Sequence, residues 1–115
     1  MVFCDSDIRA FILTQRSALV GHREFLHTRY GWRCTDQEAA ADWARRYAAD
    51  YREVGNRLLV LLQAHPRRAE VFEVGMAEIA RHKYLRSEGL GRDLGLKAAG
   101  EEWIREHFVP WYASL

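Results

Sequence analysis

The residue pattern predicts an all-α fold: a small antiparallel bundle of about four helices, formed by residues 1–115 as a single domain, with a glycine-rich turn before the last helix. Three observations lead there. Apolar residues recur at alternating steps of three and four over long stretches; caps and breakers bound those stretches; and no pair of segments alternates apolar and polar residues as a β-hairpin would. A content of 49% hydrophobic and 29% charged residues belongs to a chain that buries a core rather than to a disordered one.

The first helix is expected from Asp7 to Tyr30, capped by Asp5 or Ser6 and stopped by Gly31. Its apolar stripe reads Ile8, Phe11, Ile12, Gln15, Leu19, His22, Leu26. The second opens at Thr35-Asp36-Gln37-Glu38, a capping box in which Thr35 accepts from the backbone while Glu38 reaches back to the Thr35 amide. It carries Ala40, Ala44, Tyr47, Tyr51, Val54, Leu58 and Leu61 on one face and ends at His65-Pro66, with the turn from Leu58 to Leu62 as its most buried part. The third runs from Arg67 to Arg86 and spreads Val71, Phe72, Val74, Met76, Ile79 and Leu85 over an arc broad enough to meet two neighbours. Gly89, Gly91 and Gly95 then interrupt the pattern, since each costs a helix about 1 kcal/mol. The last helix, from Leu96 to Val109, turns Leu96, Gly100, Trp103, Ile104 and His107 inward and ends at Pro110.

Composition narrows the function classes. Lys and Arg total 17 against 16 Asp and Glu, so no global field draws the protein to nucleic acid or anionic lipid. The segment from Met1 to Asp7 holds two acids and no base, unlike the basic start of a secretory signal, and no run reaches the roughly 18 apolar residues of a membrane span. Cys4 and Cys34 flank the first helix about 35 Å apart, too far for a disulfide. Free thiols and no membrane segment fit a cytoplasmic protein.

Glu24 and His27 share the Glu-x-x-His spacing that supplies two ligands in di-iron bundles. Helical geometry turns both away from the apolar stripe, however, and no second such motif is present. His22, His82 and His107 instead project from the apolar arcs of different helices, with Glu78 one turn before His82; this set suits zinc, iron or haem if it converges. The alternative is that each histidine is a polar member of the core, bonded to a backbone carbonyl or to Tyr47 or Tyr51. Gly89 to Gly95 follows a helix rather than a strand and lacks phosphate-loop spacing, so it reads as a turn. The bases Arg81, Lys83, Arg86, Arg92 and Lys97 faintly suggest a nucleic-acid-binding module, but Glu101, Glu102 and Glu106 stand where a reading helix would face phosphate.

Trp103, Phe108, Trp111 and Tyr112 crowd the C-terminal end, two of them beyond the proline. Such density fills cores or interfaces. No nucleophile–base arrangement or paired carboxylates can be assembled, which argues against catalysis. The stretch from His82 to Glu88, with Gly91 to Gly95 and Trp103-Ile104, resembles a signature of short bacterial proteins, and the resemblance implies no residue role. The expectation is therefore a non-catalytic accessory subunit without a cofactor. It binds a protein partner, or itself as a homo-oligomer, through Arg92, Trp103, Phe108, Trp111 and Tyr112. A metal- or haem-binding bundle on His22, Glu78, His82 and His107 is the alternative, and nucleic-acid binding the second alternative.

Overall fold

The computed structural model describes residues 5–115, with the side chains of residues 5, 6, 8 and 29 left out of the description. Cys4, the Asp5 or Ser6 cap and the Ile8 position of the first stripe therefore lie outside the described residues. Five helices follow one another: α1 (Asp5–Tyr30), α2 (Asp36–Arg46), α3 (Ala48–Leu62), α4 (Arg68–Leu90) and α5 (Leu96–Ala113). Among the described residues there is no strand, and no helix is long and apolar enough to cross a membrane.

α1 stops where the chain turns left-handed at Gly31, φ +67°. The Thr35 capping box forms in full: the Thr35 hydroxyl accepts from the Glu38 amide at 3.2 Å, and the Thr35 amide donates to Glu38 Oε1 at 3.0 Å. The expected second helix is then divided in two. At Tyr47 the backbone leaves helical geometry, φ −126° and ψ −19°, while hydrogen bonds run on through it: Tyr47 N–H to Trp43 O at 2.8 Å and Tyr51 N–H to Tyr47 O at 2.9 Å. This kink raises the helix number from four to five and changes the phase of the buried stripe. α3 buries Tyr51, Val54, Leu58, Leu59 and Leu62, whereas α2 buries Ala39, Asp42 and Trp43 rather than Ala40 and Ala44.

α3 is the central element, touching all four other helices. Leu58, Leu59 and Leu62 from α3 meet Phe72 and Ile79 from α4, and all five side chains are almost wholly removed from water. Within the expected buried turn, Val60 and Leu61 are the exceptions, facing solvent on the far side of α3. Phe11 of α1 stacks on Phe72 at 5.7 Å between ring centroids and meets Tyr51 edge-on at 5.6 Å. A Cβ on Gly100 would come within 2.8 Å of Val54, so glycine is what lets α5 lie this close to α3. The molecule measures 43 × 33 × 19 Å, and its short dimension accommodates two helix layers at the usual 8–10 Å spacing.

α5 continues through Pro110 to Ala113 instead of ending at the proline. Trp111 and Tyr112 keep the phase of Trp103 and Phe108, with ring centroids of 5.2 Å for Trp103–Trp111 and 5.5 Å for Phe108–Tyr112. Aromatic packing on the inner face offsets the missing amide and the steric cost of an internal proline, about 3 kcal/mol.

The connection from α4 to α5 separates two kinds of glycine. Gly89 lies inside α4 with open space around it, while Gly91 adopts φ +70° just past the helix end. Gly89→Ala should raise unfolding free energy by about 0.5 kcal/mol through helix propensity, and Gly91→Ala should lower it by about 1 kcal/mol. Urea denaturation of the two variants checks this opposition of sign.

Candidate functional site

Three polar features could carry chemistry. The first joins α1 to α2. His22 Nε2 donates to Asp42 Oδ2 at 2.7 Å, with both side chains sealed from solvent. Asp42 Oδ1 also takes Arg45 Nη2 at 2.8 Å and Arg46 Nε at 3.1 Å, from the next turn of its own helix. Tyr47 closes over the imidazole edge-on at 5.3 Å, and Phe25 lies against its other side. Burial alone would raise the Asp42 carboxyl; the His22 hydrogen bond and the Arg46 charge outweigh it and hold the group below its ordinary value of 3.8. With no open route to a reacting group, this is a clamp between helices. His22 is the inward histidine the sequence predicts, but its partner is a carboxylate on α2 rather than a carbonyl or a tyrosine hydroxyl.

The second feature lies between α4 and α5. His82 Nε2 is 2.9 Å from Glu102 Oε1, and Arg86 Nε donates to the same oxygen at 2.6 Å. Arg86, with His82 beside it, holds the Glu102 carboxyl below its ordinary range. The His107 ring stands 5.2 Å from that of His82, yet its side chain is half exposed rather than inward. Glu78 is half-buried on α4. The expected set His22, Glu78, His82 and His107 is thus divided, with His22 committed to Asp42. Among the described residues no three His, Cys, Asp or Glu side chains gather as a metal ion requires.

The third is an open groove of about 670 Å³ where the C-terminal half of α1 meets the connection to α2. Arg23, Glu24, His27, Trp32 and Arg33 are among its walls, and the buried thiol of Cys34 is at its base. Glu24 and His27 are exposed here, facing away from the core as the sequence predicts. Arg23 bonds Asp36 at 2.6 Å across the groove. From it, the outer face of α1 runs back toward the N-terminus bearing Arg23, Arg16 and Arg9, seven residues apart, with Val20, Leu13 and Ile12 exposed between them. Among the described residues Arg9, Arg16 and Arg33 enter no ion pair.

The five residues of the expected contact surface at the C-terminal end differ in exposure. Trp103 is 3% and Phe108 9% exposed, so both belong to the chain's own core, and Trp111 and Tyr112 are half covered by it. Arg92 alone of the five is exposed, in the turn between α4 and α5. That turn is tied down by Ser87 Oγ accepting from the Leu94 amide at 2.9 Å and by Asp93 accepting from the Gly95 amide at 3.0 Å. Of the basic cluster around it, Lys83 is ion-paired with Asp93, Arg86 with Glu102 and Lys97 with Glu53, while Arg81 and Arg92 are exposed.

Sequence reasoning missed Asp42 and the pairing of buried Asp7 with the half-buried Arg68, whose Nε lies 2.9 Å from it. Asp42 had one readable signal, its i+3 and i+4 arginines, which neutralise a carboxylate that faces inward. Asp7 and Arg68, distant in sequence, carried none.

The Asp42 clamp has a pH signature. A carboxyl whose folded value is depressed contributes stability above its unfolded value, and loses it as pH falls toward the folded one, here below about 4. Asp42→Asn should cost about 1–3 kcal/mol at neutral pH and flatten the acid limb, so that its deficit shrinks near pH 3. Urea melts of both proteins at neutral pH and near pH 3 read this directly. No protein-family model, curated protein or solved structure matches this chain.

Proposed function

We propose that this chain is a non-catalytic accessory protein that acts by binding another protein, and that the binding face is the outer side of α1. One observation carries the reading: α1 presents three exposed arginines at heptad spacing with an aliphatic ridge between them, next to a groove that holds Trp32 and Arg33. Arg and Trp are the side chains that most often anchor interfaces, and aliphatic exposure continuous with charge is costly to a chain that works alone.

The polar clusters favour the same reading. His22–Asp42 is closed to solvent, and His82–Glu102–Arg86 is a surface network with no nucleophile among its hydrogen-bonding partners. The cofactor alternative keeps only the adjacent rings of His82 and His107 behind it.

The test is site-specific photo-crosslinking in the cells that make the protein. A crosslinking residue at position 16 should give one discrete protein adduct, and one at position 109, on the exposed side of α5, should give none. Adducts at position 109 alone would return the interface to the C-terminal helix, and no protein adduct at either position would overturn the reading.

A further inference from the structure

We infer that the occupant of the α1 face is an acidic amphipathic helix of the partner, laid along α1 with its carboxylates set at heptad spacing. This rests on the protein-binding reading above and names the partner's chemistry. Arg9, Arg16 and Arg23 stand seven residues apart, so on a straight helix they repeat every 10.5 Å or so and cover roughly 21 Å. A second helix lying alongside carries carboxylates at the same interval if they too fall seven residues apart, so each finds a guanidinium across the seam, Arg9 and Arg16 free of other ion pairs among the described residues and Arg23 shared with Asp36.

The ridge of Ile12, Leu13 and Val20, each between 44% and 58% exposed, supplies the apolar strip that the partner's own stripe would cover. Exposed ion pairs hold little by themselves, so the ridge supplies affinity and the arginines supply choice of partner and register. Trp32 and Arg33 extend the surface beyond the end of α1, where the groove receives the end of the docked helix.

Charge decides against the other occupants. A second copy of this chain, packed α1 against α1 about a two-fold axis, would set Arg9 against Arg23 and Arg16 against Arg16, like charge on like. Nucleic acid would meet aliphatic side chains where base stacking needs aromatic ones, and Glu24 and Asp36 in the groove would oppose phosphate and anionic headgroup alike. A helix can put a neutral or basic residue opposite those two acids.

The probe is a labelled synthetic helix of about 21 residues, with a Leu/Ala stripe flanked on both sides by Glu, compared with its Glu→Lys counterpart and a scrambled sequence, by fluorescence anisotropy. The Glu peptide should bind the intact protein at least about tenfold tighter than either control, and Arg16→Glu should weaken it by about tenfold or more. Leu13→Gln should weaken it as well. The triple variant Arg9→Glu, Arg16→Glu, Arg23→Glu, shown folded by circular dichroism, should reverse the preference and take the Lys peptide.

Equal affinity for the Glu and scrambled peptides, or no effect of Arg16→Glu, overturns the inference. So does tighter, Arg16-dependent binding to duplex DNA or to phosphatidylserine vesicles. If the peptide fails while the crosslink at position 16 still captures a protein, the acidic-helix class falls and the protein-binding reading stands. If the crosslink also captures none, both fall.

Discussion

A buried carboxylate must find a partner, and Asp42 finds its partner on α1. That requirement fixes how α1 is rolled about its own axis: the His22 side of the helix turns inward to reach Oδ2, and the arginine side, about a third of a turn away, is held outward. At the other end Asp7 performs the same service against α4 through Arg68. Pinned twice, α1 has no freedom to rotate its arginines toward the core or its histidine toward solvent. The exposed face of Arg9, Arg16 and Arg23 follows from where the two buried acids are.

The kink at Tyr47 is what brings Asp42 to that position. In an uninterrupted helix Asp42 and Tyr51 are nine residues apart and point to roughly opposite sides, so both could not enter one core. The irregular Tyr47 backbone resets the phase, and α2 can then bury Ala39, Asp42 and Trp43 while α3 buries its own leucines. No proline or glycine marks the break, so a pattern read backwards from Tyr51 selects Ala44 and Ala40. Helix ends with local chemistry were legible: the Thr35 capping box and the Gly31 stop depend on residues within one turn. Pro110 misled because its local cost is real, and the packing of Trp111 and Tyr112 that overrides it comes from another part of the fold. The same packing explains why aromatic density near the C-terminus pointed to an interface when half of it, Trp103 and Phe108, fills the interior. On the histidines, helical phase located His22 correctly, but whether three rings on separate helices converge depends on helix rolls that periodicity does not contain.

The division of labour between the two sides of α1 is the center of the functional account. Its inner side carries directional contacts, one hydrogen-bonded clamp and one ion pair, with Phe11 wedged between Phe72 and Tyr51. Its outer side carries Arg9 and Arg16, which enter no ion pair among the described residues, Arg23 paired only with Asp36 beside the groove, and aliphatic residues without cover. The other exposed apolar side chains, such as Val74 on α4 and Val109 on α5, are not combined with an evenly spaced row of one charge. A face of this kind contributes little to folding, so its substitution separates binding from stability.

The most direct test is hydroxyl-radical footprinting of the protein, free and in its native complex, read by mass spectrometry at single side chains. Complex formation is expected to protect Ile12, Leu13 and Val20 together with Trp32 and to leave Val109 and Tyr84 as reactive as in the free chain. Protection concentrated on α5 and the Arg92 turn, with the α1 ridge still open, would contradict it.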